Sequence, residues 1–313
     1  MRFLTYRGGR TARAALLDAD GETAFDVGHL LGEDADNGFS LLRVLEHWDG
    51  IAERLATPAG KPMSLSSLSL LAPFPRPPRN VMCVGKNYRD HSSEFARSGF
   101  DASGGRGDAA VPDHPVFFTK AAGSVIGPGA PIDPHRDLTR SLDYEAELAV
   151  IIGRGGRGIT AGQAWDHVWG YTIINDVTAR DLQRDHKQWF LGKSLDTFCP
   201  MGPWAVTSDE IDAANLTVRC WVNGELRQKA STSDLVFGIP ELIATLSAGI
   251  TLQRGDIIAT GTPAGVGIGF SPPRFLAPGD VVSMEITGLG TLTNPVGTGA
   301  AEAGPHRQAT EGH

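Results

Sequence analysis

The sequence is poor in cysteine: Cys83, Cys199 and Cys220 are the whole complement, an odd and unpatterned set. That excludes a disulfide framework and a zinc site built on paired Cys and His spacings, and it fits a reducing compartment. Basic residues are in deficit too, with 28 Lys and Arg against 36 Asp and Glu and a formal net charge of -8. Such a chain has no positive field to hold a polyphosphate, so nucleic acid is not an expected partner. Long apolar runs are missing as well. Stretches such as residues 148–152 fall far short of the roughly 20 residues that a membrane-spanning helix needs. The charged first 13 residues have no apolar run behind them of the kind a signal peptide carries. A cytoplasmic protein without membrane association is the expectation. With 39 Gly and 20 Pro among 313 residues the chain is turn-rich, yet it stays below the roughly 25–30% Pro plus Gly of low-complexity chains. What remains is a globular enzyme or binding protein.

What is present divides into a small module and a larger one. Residues 1–72 read as a small N-terminal α+β domain: 2–6 and 12–17 alternate like strands, 18–21 is a turn, and 39–55 has helical spacing. Pro73, Pro75, Pro77 and Pro78 then mark a Pro-rich linker over 73–79, since such a cluster fits neither a helix interior nor a central strand. From 80 to 296 strands dominate, over 81–84, 116–119, 144–152, 169–174, 216–222, 256–260 and 280–286, with two or three helices between them. Helices that do not alternate regularly with strands disfavour a doubly wound sheet. The pattern predicts an α+β, mostly β domain with a folded or barrel-like mixed sheet. Residues 297–313 are small and polar and read as a flexible tail.

The segment around Glu145 carries the most chemistry. On a strand, residues i and i+2 share a face, so Glu145 and Glu147 point the same way while Ala146, Leu148, Val150 and Ile152 form an apolar opposite face. Alone, the pair fits a solvated acidic face, because carboxylates this close repel unless water or a cation is at hand. A third carboxylate changes the weighing. Asp176 ends an apolar strand just before Thr178-Ala-Arg-Asp181 opens a helix with the spacing of a capping box. Three carboxylates offer only oxygen donors, which suit Mg²⁺, Mn²⁺ or Ca²⁺.

Other polar residues gather around this motif. Arg180 and Gln183 follow Asp176 by four and seven positions, along one stripe of a helix. An arginine there can clamp a substrate carboxylate; a surface salt bridge is the plain alternative. Gly192-Lys193-Ser194 only superficially suggests a phosphate loop, because that motif needs a glycine where Lys187 stands. Lys193 beside carboxylates would instead neutralise an oxyanion. A helical turn after Tyr88 would bring His91 and Glu94 together at i, i+3, giving a carboxylate-oriented imidazole suited to general-base work. The Gly/Ser/Asp-rich stretch 98–113 has no periodicity and reads as a lid-like insertion. A Gly-rich turn over 259–267 lets backbone amides approach a ligand. Cys199, with no His nearby in sequence, reads as structural.

Taken in order, VGKNYRDHSSEF (84–95), PVFFTK (115–120), DYEAELAVIIG (143–153), NDVTARDLQ (175–183), GKSLDTFCPMGPW (192–204) and SAGITLQRGDIIATGTPAGVG (247–267) resemble the fumarylacetoacetate hydrolase family, over about residues 80–296. The resemblance implies a mixed β-sandwich roll with a small N-terminal domain, a homodimer, and Mg²⁺ or Mn²⁺, in some members Ca²⁺, acting on a 2-oxo or diketo acid. It implies metal ligands at Glu145, Glu147 and Asp176, a catalytic dyad at His91 and Glu94, an active-site lysine at Lys193, and substrate contacts at Arg180, Gln183 and Thr262. The expected activity is metal-dependent hydrolysis of a C–C bond in a 2,4-diketo acid of acylpyruvate or fumarylpyruvate type, giving pyruvate plus a carboxylic acid. In that scheme His91 activates water, and Lys193 helps stabilise the departing enolate. The alternative on the same site is isomerisation, tautomerisation or decarboxylation of a 2-oxo or 2-hydroxydienoic diacid, of oxaloacetate or hydroxyheptadienedioate type.

Overall fold

The computed structural model describes residues 1–32, 38–58, 60–101 and 111–299. Most of the lid-like stretch 98–113 and nearly all of the tail 297–313 lie outside the described residues. The N-terminal region supplies strands β1 (Arg2–Gly8), β2 (Thr11–Leu17), β3 (Thr23–Asp26), β4 (Pro62–Ser64) and β5 (Leu70–Leu71). Its helices are α1 (Val27–Leu31), α2 (Leu41–Glu46) and α3 (Trp48–Leu55). The helical spacing over 39–55 is thus realised as two helices. His47, at φ -106 and ψ 6, leaves helical geometry between them.

The rest of the chain begins with β6 (Val81–Gly85), α4 (Arg89–Arg97), β7 (Val116–Lys120) and β8 (Val125–Ile126). There follow β9 (Leu142–Asp143), β10 (Ala146–Ile152), β11 (Val168–Asn175), β12 (Thr178–Ala179), α5 (Arg180–Asp185) and α6 (Phe190–Lys193). The chain continues through β13 (Cys199–Thr207), β14 (Thr217–Val222), β15 (Glu225–Ser231), α7 (Ile239–Gly249), β16 (Ile257–Ala259), β17 (Val281–Ile286) and β18 (Gly290–Pro295). The architecture is mixed α+β and mostly strand, as the pattern predicts. Among the described residues, four helices rather than two or three interrupt the strands beyond residue 80. Twelve strands form one sheet along β4-β3-β2-β1-β13-β11-β10-β16-β6-β7, with β5 on β1 and β8 on β13. A second sheet runs β15-β14-β17-β18. The N-terminal strands continue the large sheet, because β1 pairs antiparallel with β13 through Arg2↔Val206 and Phe3↔Ala205.

Sequence patterning missed β13, whose Pro200 and Pro203 argue against a strand inside a sheet. The sheet accommodates Pro203 by an irregularity: the β11–β13 register shifts between Tyr171 and Ile173, so Pro203 falls where the ladder is already broken, while Pro200 lies opposite Ile126 of β8. On the other side of β11 lies β10, whose apolar residues alternate between two cores. Leu148, Val150 and Ile152 pack on one side with Ile243 and Leu246 of α7, and Ala149 and Ile151 on the other with Phe3 and Trp169. Both faces of β10 are therefore buried, and burial of this kind stabilises by roughly 25 cal/mol per Å² of apolar surface. No helix of the described residues is long and apolar enough to cross a membrane.

Candidate metal and proton-transfer site

The carboxylates sit at the entry of β10 and the exit of β11, which pair antiparallel through Ala146↔Asn175 and Glu147↔Ile174. That register places Asp176 against Glu145, and the Asp176 N–H donates to the Glu145 carbonyl at 2.9 Å. Glu145, Glu147 and Asp176 are buried, and ligand atoms from the three lie within 4.8 Å of one another. The solvated acidic face is overturned: Glu147 is only 1% exposed. Burial and the charges of Asp176 and Glu145 push the Glu147 carboxyl well above the usual carboxylate range. Burial acts upward on Glu145 as well, but the charges of Lys193 and Arg180 outweigh it and hold that carboxyl well below the usual range.

Cations already crowd this cluster. Lys193, at the end of α6, sends Nζ to Glu145 Oε2 at 2.8 Å and to Asp176 Oδ2 at 2.6 Å. Burial acts to lower its pKa, yet Asp176 and Glu145 prevail and raise it, so the group stays an ammonium. Lys120, absent from the sequence-based site, is fully buried at the end of β7. Its Nζ donates to Asp176 Oδ1 at 2.5 Å, to the Val177 carbonyl at 3.0 Å, and to the Lys193 carbonyl. Arg180 donates through Nε to Asp143 at 2.9 Å and through Nη1 to Glu145 at 2.7 Å and Gln183 at 3.2 Å. Its buried Nη2 has no hydrogen-bond partner among the described residues. Three buried carboxylates need compensating positive charge, and an all-oxygen donor set of this size fits a hard divalent cation.

The helix over Arg89–Arg97 forms as the spacing requires. His91 Nδ1 lies 3.3 Å from Glu94 Oε2, and the ring stacks on Phe95 at 6.3 Å between centroids. The start of α4 is anchored by Ser92, whose hydroxyl donates to the carbonyls of Lys86 and Tyr88 at 2.9 Å each. Asn87 fixes the preceding corner, donating to the carbonyls of Phe237 and Thr260. The Gly-rich turn after β16 serves both halves of the site. Gly261 N–H donates to Glu147 Oε2 at 2.8 Å, and Gly265 N–H donates to Glu94 at 3.1 Å. Thr262 is tied to β10 through the Ala146 carbonyl at 3.0 Å. Gln228 of β15, also absent from the sequence-based site, locks it by accepting from Ala146 N–H and donating to Thr262 Oγ1.

One pocket is lined by His91, Glu145, Glu147, Arg180, Lys193 and Thr262; Gln183 borders it too, and Asp176 lies directly behind Lys193. The sequence-based residues therefore converge. Two local readings change. Asp176 stands on the strand side of the turn rather than on the helical stripe, which holds only Arg180 and Gln183. The capping box does not form: Thr178 pairs with Asp143 in a short β12–β9 ladder, and its hydroxyl donates to the Asp176 carbonyl. Cys199 is buried, and burial pushes its thiol up to about 12, as suits a structural residue.

A family model described as fumarylacetoacetate (FAA) hydrolase C-terminal matches residues 80–297. The chain is 53% identical over 235 residues to the oxaloacetate tautomerase YisK of Bacillus subtilis, covering 75% of each. It superposes with a TM-score of 0.78 and 44% identity on a fumarylacetoacetate hydrolase from psychrophilic Exiguobacterium antarcticum, covering 95% of this chain and 99% of that one. It also superposes, with a TM-score of 0.74 and 33% identity over 95% of this chain and 99% of that one, on the maleylpyruvate hydrolase of Sphingobium sp. SYK-6 in complex with manganese (II) ion and pyruvate. A family model spanning 80–297 and relatives that share the architecture from end to end leave one conclusion: the chain belongs to the fumarylacetoacetate hydrolase family.

Proposed function

We propose that this protein is a divalent-metal-dependent keto–enol tautomerase of a short 2-oxo diacid of oxaloacetate type. The observation that carries the choice is the 53% identity to an oxaloacetate tautomerase, in a chain that sets an oriented imidazole beside three buried carboxylates. This favours the alternative over carbon–carbon hydrolysis, the activity first expected. Glu145, Glu147 and Asp176 would hold the divalent cation, which would supply a Lewis acid that makes the carbon next to a 2-oxo group more acidic. His91 accepts the C3 proton on Nε2, since Nδ1 faces Glu94, and returns it to the 2-oxo oxygen; the substrate's mass is conserved. Glu94, itself fixed by the Gly265 N–H, orients the ring and stabilises the transient imidazolium. Lys193 brings a preorganised ammonium to the side where enolate charge grows. The two N–H groups of Arg180 Nη2, which has no partner among the described residues, are the part of the guanidinium left to meet the substrate carboxylate, because Nε and Nη1 are engaged.

The test is to follow the ultraviolet absorbance of the enol in oxaloacetate with Mg²⁺ or Mn²⁺, with mass-resolved products and a chelator control. Accelerated enol–keto conversion that stops with chelator and yields neither pyruvate nor CO₂ is the expected result. A second reading, hydrolysis of an acylpyruvate, draws on the full-length likeness to a maleylpyruvate hydrolase and on the fitness of the same dyad to activate water. Chelator-sensitive cleavage of an acylpyruvate to pyruvate, without acceleration of tautomerisation, would replace the first reading with the second.

A further inference from the structure

Lys86 borders the same pocket and takes no part in the chemistry above. It follows Gly85 at the end of β6 and holds φ at 58, the left-handed region that a long side chain adopts only at a backbone cost. Strain of that kind persists where the fold needs a particular side chain in a particular direction. The side chain is only 7% exposed, an unusual setting for a lysine. Its Nζ pairs with Asp101 at 2.8 Å and lies 5.5 Å from the centre of the Phe95 ring.

The aromatic wall places this ammonium relative to the metal end. Lys193 Nζ lies 5.1 Å from the centre of Phe118, and Phe118 meets Trp189 edge-on at 5.3 Å. Trp189 in turn meets Phe95 at 5.9 Å, and Phe95 carries Lys86. Trp189 can lie this close to β6 because residue 85 is glycine: a Cβ there would stand 2.2 Å from its ring. The two buried ammonium groups therefore line one pocket and are linked by a run of three touching rings in its wall. The cations at the first end are bonded to carboxylates of the triad and to Asp143. The carboxylate that Lys86 holds, Asp101, belongs to neither set.

We infer that Lys86 is the specificity residue for the second carboxylate of the substrate, which replaces Asp101 on its ammonium, so that the site selects a 2-oxo diacid over a 2-oxo monoacid. The inference rests on the proposed 2-oxo acid chemistry and adds to it the means of choosing among 2-oxo acids. The two anionic ends would meet two cationic stations that line the same pocket, with Phe95, Phe118 and Trp189 in its wall. The diacid takes over from Asp101 a charge-assisted hydrogen bond that a monoacid cannot make, and the net of that exchange is expected to favour the diacid by roughly tenfold or more.

The experiment is calorimetric titration of the Mn²⁺-loaded protein with pyruvate and with oxaloacetate, for the wild type, Lys86→Met, Lys86→Asn and Lys86→Arg, each checked by its melting temperature. Asparagine tolerates the left-handed backbone, so it guards against a methionine variant that fails to fold. The expected result is that the wild type and Lys86→Arg prefer oxaloacetate by roughly tenfold or more, while in the methionine and asparagine variants the ratio falls to within about twofold. A folded Lys86→Asn protein that keeps the full preference overturns the role of Lys86 and leaves the 2-oxo acid reading intact. So does a wild type that binds both acids equally. A wild type that binds neither acid overturns the 2-oxo acid reading itself, and this inference with it.

Discussion

The Glu94 carboxylate fills the space where Gly269 would carry a side chain: a Cβ at residue 269 would stand 1.6 Å from Glu94 Oε1 and 2.1 Å from its carboxyl carbon. Gly269 has no left-handed φ to maintain, so the glycine is required by this contact and not by its backbone. A methyl group there must push the far end of Glu94 away from His91 while leaving α4 in place. Gly269→Ala is therefore expected to lower turnover by about ten- to a hundredfold, less than the roughly 10²–10⁴ that general-base catalysis contributes, because His91 itself is kept. Its midpoint of chemical unfolding should stay close to that of the wild type. Equal turnover in the two proteins would show that the Glu94 orientation is not needed.

Metal binding has a stability signature. The carboxylates of Glu145, Glu147 and Asp176 are close enough to share one ion, and whatever binds only the native state stabilises it by mass action. At a free Mn²⁺ concentration a hundred times Kd, the native state gains about 2.7 kcal/mol. Differential scanning calorimetry should show the matching rise in Tm, absent with Glu147→Gln. Without metal, Glu147→Gln is expected to be at least as stable as the wild type, since it removes one of the like charges that crowd the triad. A variant that kept the Mn²⁺ shift would remove Glu147 from the ligand set.

The reach of the sequence follows from the range of its contacts. Period-two alternation is local, so the shared face of Glu145 and Glu147 is legible from their spacing alone. The i, i+3 spacing of His91 and Glu94 is equally local; the latter pair meets, and the two glutamates line one pocket although Glu145 stands just ahead of β10. Lys120 and Gln228 were invisible because their meaning comes from partners 56 and 82 positions away in the chain. Nothing in Thr119-Lys120 distinguishes a fully buried ammonium from a solvated one. The strand β13 was hidden for a different reason: its prolines argue against a strand, and the ladder irregularity that accommodates Pro203 arises from the pairing with β11, which the local sequence does not show. The acidic-face reading of β10 failed because the charges that compensate it, Lys193 and Arg180, arrive from another part of the chain.

Lys120 gives the third prediction. It is fully buried and bonded to Asp176 and to the carbonyls of Val177 and Lys193, so it joins β7 to both residues that flank the triad. Removing one partner of a buried ion pair leaves the other charge uncompensated, which costs about 3–5 kcal/mol. Lys120→Met should lower the unfolding free energy by that amount in urea titration. If the folded fraction is recovered by working below the denaturation midpoint, its Mn²⁺ affinity should also fall, because Asp176 is no longer held. A stability loss within experimental error of zero would contradict the buried-pair account.

The N-terminal region supplies a pH test remote from the triad. Asp26 is 3% exposed; it accepts from Arg13 Nε and Nη2 at 2.7 and 2.8 Å, from the Tyr6 hydroxyl at 2.6 Å, and from the His29 N–H at 2.8 Å. Burial acts to raise its pKa, but the hydrogen bonds from Arg13 and Tyr6 prevail and hold it at about 2, below the ordinary 3.8. Because the folded value lies below the unfolded one, the stabilisation is fully present above pH ~4 and is lost as pH falls through about 2. A gap of this size corresponds to about 2 kcal/mol. Urea unfolding at pH 5.5 and near pH 2.5 should therefore show the wild type losing much of that amount. Asp26→Asn, which has no carboxylate to protonate, should be less stable at pH 5.5 and should lose less over the same interval. Parallel losses in the two proteins would place the acid sensitivity at other carboxylates and leave Asp26 as a packing residue alone.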